Sequence, residues 1–146
     1  MNPLDNILTA DQVLLDLDAS SKKRVFEQAG MLFESRLGMA RTQIFDSLFA
    51  REKLGSTGVG SGVALPHADI PGLERSVTLF TCLARPVDWD AIDDRPIDLV
   101  AAVLSPSSGG RGSTDALARF ARILRNPVVR QRLSTSSTTD QVREIL

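Results

Sequence analysis

The 146-residue chain has one histidine, His67, and it closes the run Arg51-Glu-Lys-Leu-Gly-Ser-Thr-Gly-Val-Gly-Ser-Gly-Val-Ala-Leu-Pro-His67. Imidazole is the side chain best suited to accept and return a group near neutral pH. Gly58, Gly60 and Gly62 alternate just before it, and residues without a Cβ let backbone N–H groups crowd around an anion. Ser56 and Thr57 add two hydroxyl donors to the same stretch. Arg51 adds a guanidinium, which can grip phosphate oxygens with two N–H groups. These residue types suit phosphoryl chemistry with His67 as the nucleophile. Such transfer depends mainly on alignment and on positive groups that offset phosphoryl charge.

Competing chemistries fit less well. The Gly-Lys-Ser/Thr of a nucleotide loop is missing. The glycines follow a helical pattern and precede a strand, the reverse of a dinucleotide-binding turn. One His and one Cys cannot fill a tetrahedral metal site, and no Gly-x-Ser-x-Gly elbow presents a serine to the histidine. Neither a metal nor an organic cofactor is therefore expected. Two plainer readings stay open: a flexible turn for the glycines, and a strand-end position for His67.

These residues need elements to hold them. Ser20 or Ser21 caps a first helix whose apolar positions are Val25, Ala29, Leu32 and Phe33, with Gly38 as its end. A second helix is expected over 42–54, with Ile44, Phe45, Leu48 and Phe49 inward and Gly55 as its stop. The period then changes. Residues 62–65, 76–83 and 97–104 read as strands, the last nearly continuous in apolar residues and so covered on both faces. Pro86 and Pro96 bracket an irregular link holding Trp89, a core or interface anchor. A polar loop over 105–112 leads to a helix with Leu117, Phe120, Ala121 and Leu124 inward, capped by Ser113, Thr114 or Asp115. Asn126-Pro127 opens a short helix to Leu133, and Thr139 or Asp140 caps a last one carrying Val142, Ile145 and Leu146. The order suggests an α/β layered domain around a central mixed sheet.

Composition sets the outer frame. Apolar residues make up 42% and charged residues 24% of the chain, an ordinary globular balance that suits one domain over 1–146. A net charge of −1 gives no basic field for nucleic acid or an anionic membrane. Cys82 has no partner for an internal disulfide and sits in an apolar run, as a buried structural thiol would. The start, Met-Asn-Pro-Leu-Asp, lacks the basic and apolar regions of a signal peptide. No apolar run approaches the roughly 18 residues of a membrane helix. A cytoplasmic protein without membrane insertion is expected.

The segment from Arg51 to His67 resembles the phosphorylation-site signature of EIIA domains of the bacterial phosphotransferase system, fructose/mannitol class. It is most similar to the nitrogen-regulatory branch. The likeness extends to Ser21-Lys-Lys-Arg, to Trp89-Asp-Ala-Ile-Asp and to the helix near Leu117. The resemblance implies a mixed sheet flanked by helices. It implies a phosphoryl group carried on Nε2 of His67, received from a histidine phosphocarrier protein, with Arg51 as the phosphate-supporting arginine. It also implies regulatory target proteins, potassium-handling or sensor proteins among them, bound according to phosphorylation state. Nothing in the chain could move a solute, which favours regulation over direct sugar uptake.

Two positions depart from that pattern. A second family histidine, four residues before the leucine matching Leu117, is replaced here by Ser113. At a helix N-terminus Ser113 can hold a phosphoryl oxygen, with Arg111 adding charge, or it can be only a cap. After His67 the chain reads Ala68-Asp69. If the strand continues, Asp69 shares a face with His67 and repels a dianionic phosphoryl group; if the chain turns, Asp69 meets solvent. These departures define a second hypothesis, a binding module that keeps the fold with weak or no phosphotransfer.

Overall fold

The computed structural model describes residues 13–106 and 112–145, with the side chains of 112–116 left aside. Among the described residues the order is β1 (Val13–Leu17), α1 (Lys22–Leu37), α2 (Arg41–Lys53), β2 (Gly58–Gly60), β3 (Val63–Ala64), β4 (His67–Ile70), β5 (Val77–Val87), β6 (Ile97–Pro106), α3 (Gly112–Ile123), α4 (Pro127–Ser134) and α5 (Thr139–Ile145). The six strands form one mixed sheet in the order β1-β5-β6-β3-β2, with β4 also paired to β6.

The sheet divides the apolar residues by the two-residue period of its strands. Leu79 and Leu83 of β5, with Val100, Ala102 and Leu104 of β6, face the layer of α1 and α2. Phe80 and Cys82, with Leu99 and Ala101, face the layer that holds Phe120, Leu133 and Val142 of α3 to α5 and Leu124 just past α3. Both faces are covered, which is why β6 is nearly continuous in apolar residues. No helix of the described residues is long and apolar enough to cross a membrane.

Local chemistry sets the helix ends. The Ser21 hydroxyl accepts the Arg24 N–H at 3.2 Å, and Gly38, at φ 71°, closes α1. Ala40 supplies no side-chain cap for α2, so Glu34 does: its carboxylate accepts the Arg41 backbone N–H at 2.8 Å and the guanidinium of the same residue. That pairing holds Glu34 below the ordinary carboxylate range. The Asn126 side chain caps α4 ahead of Pro127.

Several expectations need correction. β1 precedes the first helix and pairs parallel with β5, Val13 opposite Phe80. Pro86 lies inside β5 and not in a link. It falls where the register shifts between Cys82 and Val87, a position that needs no donor from its nitrogen. α3 begins at Gly112, ahead of the three residues offered as its cap. For α5 the capping hydroxyl is that of Thr138, which accepts the Gln141 N–H at 3.1 Å.

Candidate phosphoryl-accepting site

The site is assembled by one lane of the sheet and one helix. β3 and β4 run along the same edge of β6 in a single register, Val63 opposite Leu99 and His67 opposite Val103. Pro66 has no N–H to offer, and the lane is interrupted there. The Pro66 carbonyl still accepts the Val103 N–H at 2.9 Å, while the Leu65 carbonyl takes a side chain. His67 Nδ1 lies 3.1 Å from it. A carbonyl only accepts, so Nδ1 carries the ring proton and Nε2 keeps its lone pair.

That lone pair faces α2. Ser47, Ala50, Arg51 and Leu54 fall at i, i+3, i+4 and i+7, one helical face. With His67, Ala68 and Asp69 they line an open cleft of about 420 Å³. The Arg51 Nε–H donates to His67 Nε2 at 3.2 Å, and its Nη1 donates to the Gly55 carbonyl at 2.9 Å. Its Nη2 donors remain uncommitted among the described residues. A histidine and an arginine sixteen positions apart are therefore in direct contact.

β4 settles the alternatives for Asp69. The strand continues past His67; Ala68 and Ile70 are buried, and His67 and Asp69 share the outer face. No described residue gives the Asp69 carboxylate a hydrogen bond or an ion pair.

Ser56 and Thr57 have other duties than the phosphate contacts expected of them. Ser56 Oγ donates to the Trp89 carbonyl at 2.8 Å and accepts the Gly58 N–H at 3.1 Å. Thr57 is buried; its hydroxyl donates to Glu52 Oε2 and accepts the indole N–H of Trp89 at 3.2 Å. Neither lines the cleft. The glycines also face elsewhere. Gly60 and Gly62 have φ of 97° and 80° around Ser61 in the β2–β3 turn. A Cβ on Gly62 would meet Asp98 Oδ1 at 2.8 Å, and one on Gly58 would meet the Ala91 side chain at 2.7 Å. The anion beside this turn is the chain's own: Ser61 N–H donates to Asp93 at 2.9 Å, and that bond with one from Arg95 holds Asp93 below the ordinary carboxylate range.

Sequence reasoning missed Glu52. It extends the buried row Ile44, Leu48, Glu52 at four-residue spacing. Its carboxylate accepts Lys22 Nζ at 2.9 Å and the Thr57 backbone N–H at 3.0 Å, besides the Thr57 hydroxyl. Lys22 also sits 5.6 Å above the Trp89 ring, and Phe26 meets that ring edge-on. The network ties α1, α2 and the Trp89 loop together just behind Arg51. An acidic residue continuing a helix's apolar row was the signal available.

Ser113 lies in the first turn of α3; its side chain and the whole of Arg111 lie outside the described residues. No three His, Cys, Asp or Glu side chains cluster as metal ligands among the described residues.

The mixed sheet between two helical layers is an α/β architecture, and comparison with known proteins gives its class. The profile of the phosphoenolpyruvate-dependent sugar phosphotransferase system, EIIA 2, matches residues 6–146, and the chain belongs to that family. It is similar to the nitrogen regulatory protein of Bradyrhizobium diazoefficiens, 35% identical over 144 residues that cover 99% of this chain and 94% of that protein. The crystal structure of nitrogen regulatory protein IIA-Ntr from Neisseria meningitidis matches with a TM-score of 0.93 and 36% identity, over 99% of each chain. Enzyme IIAMTL of Escherichia coli, solved in complex with phosphorylated enzyme IIBMTL, shares the fold at a TM-score of 0.78 and 19% identity, over 94% of this chain and 95% of that one.

Proposed function

We propose that the protein is a phosphoryl carrier that takes a phosphoryl group on His67 Nε2 from a histidine phosphocarrier protein. It then acts on partner proteins according to its phosphorylation state. One observation carries the reading: the ring proton is held on Nδ1 by Leu65, so the nucleophilic lone pair points into an open cleft beside Arg51.

The geometry supports a simple sequence. An incoming phosphoryl dianion draws the Arg51 guanidinium off Nε2, exchanging a neutral acceptor for charged oxygens. Nε2 then attacks phosphorus in line as the donor's P–N bond breaks, with that electron pair returning to the donor imidazole. No proton needs to leave either ring. Arg51, still anchored through Gly55, offsets phosphoryl charge with no large reorganisation. The EIIA family and the likeness to nitrogen regulatory proteins support a regulatory role, with potassium-handling or sensor proteins as the class of target.

A second reading is a binding module with weak or no transfer. Asp69 on the reacting face and Ser113 in the place of a family histidine favour it. One experiment separates the two. The protein and His67→Ala are mixed with phosphoenolpyruvate, the first enzyme of the cascade and a histidine phosphocarrier, and intact masses are read at alkaline pH. One added phosphate in the parent and none in the variant is the result expected of a carrier. No added mass, with a nitrogen-regulatory relative labelled in the same mixture, would leave the binding module standing.

A further inference from the structure

We infer that Asp69 selects the phosphoryl donor. The cleft favours a phosphoprotein that sets a cationic side chain beside its phosphohistidine, and it disfavours small free phosphoanions. This deepens the phosphoryl-carrier reading and rests on it.

The argument starts from the period of β4. His67 and Asp69 stand on one face while Ala68 and Ile70 are buried, and same-face neighbours along a strand are about 7 Å apart. A phosphoryl group arriving at Nε2 therefore meets Arg51 in contact, its Nε 3.2 Å from that nitrogen, and a carboxylate one same-face step further along the strand. Arg51 is the only cationic side chain lining the cleft among the described residues, and two of its donors are already engaged. Asp69 offsets part of what Arg51 supplies. A free dianion gains less by entering than Arg51 alone would give it.

A protein donor changes the balance. A lysine or arginine placed next to the donor's phosphohistidine pairs with Asp69, and the repelling charge becomes an orienting one. The cleft's rim suits such a partner. Leu54, 84% exposed, stands on the same helical face as Arg51, and a large apolar side chain there gives a protein surface something to cover that a small anion would leave wet. Charge and apolar contact thus point to one occupant. After transfer, the new dianion on Nε2 and Asp69 repel each other across the donor's vacated place, which favours a short-lived encounter with the phosphorylated product.

The test compares two donors on the parent, Asp69→Asn and Asp69→Glu. Phosphoramidate represents small phosphoanions; its P–N bond breaks as P–Nε2 forms, and ammonia leaves with the electron pair. The phosphorylated histidine phosphocarrier represents proteins. The readout is the initial rate of single-phosphate mass gain at alkaline pH. Asp69→Asn should raise the phosphoramidate rate about fivefold, as expected for one unit charge facing a dianion near 7 Å in a water-exposed cleft. It should lower the phosphocarrier rate by a similar factor, through KM more than kcat. Asp69→Glu should stay near the parent with both donors. Opposite signs for the two donors support the inference, whereas rates that rise together, fall together or stay put overturn it. Absence of labelling from either donor in every variant would instead overturn the carrier reading, and the inference with it.

Discussion

Arg51 faces an open cleft and holds only neutral acceptors, the His67 ring and the Gly55 carbonyl. Glu52, the next residue along the same helix, is closed in the interior with Lys22 and Thr57 filling its oxygens. The two charges stand back to back and serve opposite ends. Arg51 is left replaceable partners, as the proposed contact with a transient dianion requires. A charge meant to fix the surrounding chain has all its bonds supplied from within, because a buried ion is tolerated only when paired and hydrogen-bonded. The chain's single histidine and single cysteine repeat the contrast: His67 lines the cleft, and Cys82 is buried on the sheet's other face with its thiol donating to the Leu133 carbonyl.

Removing each member in turn should break the comparison or sharpen it. Glu52→Ala strands Lys22 and two Thr57 donors, and should cost about 3 kcal/mol of stability, seen as a lower urea midpoint with an unchanged slope. A loss below 1 kcal/mol would mean that water already shares the pair. Arg51→Ala should do the reverse. Phosphoryl transfer should fall about 100-fold, the scale of one lost charge-stabilising donor, while stability stays within about 0.5 kcal/mol. Should Arg51→Ala instead shift the midpoint as far as Glu52→Ala, the division of labour fails.

Cys82 tests the closed side through pH. Burial first, and the Asp98 charge second, push its thiol up to about 12 from an ordinary 9.0. Between those values the unfolded chain gives up the thiol proton and the folded chain keeps it, so stability should fall as pH rises from about 9 toward 12. Below pH 9 the thiol contributes no slope. Comparing urea midpoints of the parent and Cys82→Ala across that window isolates the thiol's share; parallel curves would place it in contact with water. The smallest effect concerns the open side. Arg51→Ala frees the Nε2 lone pair, so carbethoxylation of His67 by diethylpyrocarbonate should speed up about fivefold, the worth of one ordinary hydrogen bond. The only histidine makes the absorbance change unambiguous. A slower reaction would mean that Arg51 activates the ring at rest and does not mask it.

What the sequence made legible was the long apolar pattern and the segment that brings Arg51 against His67. Ser21, Gly38 and Asn126 mark helix ends through their own side-chain or backbone chemistry, so they can be read without neighbours. β6 announces itself by composition. β1 does not: Val13–Leu17 carries Asp16 at φ 56° and a register shift, which break the alternation a strand would show. The hydroxyls of Ser56 and Thr57 look like donors for a ligand because local sequence contains no rival. Their actual partners, Glu52 and Trp89, come from a helix and from a loop more than thirty residues on. Composition told which groups want partners, and only the fold decided who arrived first.

The shared register of β3 and β4 has one more consequence. His67 reaches the cleft because an even-and-odd count, kept through Leu65 and Pro66 along β6, brings it out on the face away from the α1–α2 core, into which Ala68 and Ile70 pack. Deleting one residue between Ala64 and His67 would turn the imidazole toward the core and put Ala68 in its place opposite Val103. The residues of that connection are free to vary in kind far more than in number. The segment's length obeys a parity rule, and His67 is addressed by counting as much as by chemistry.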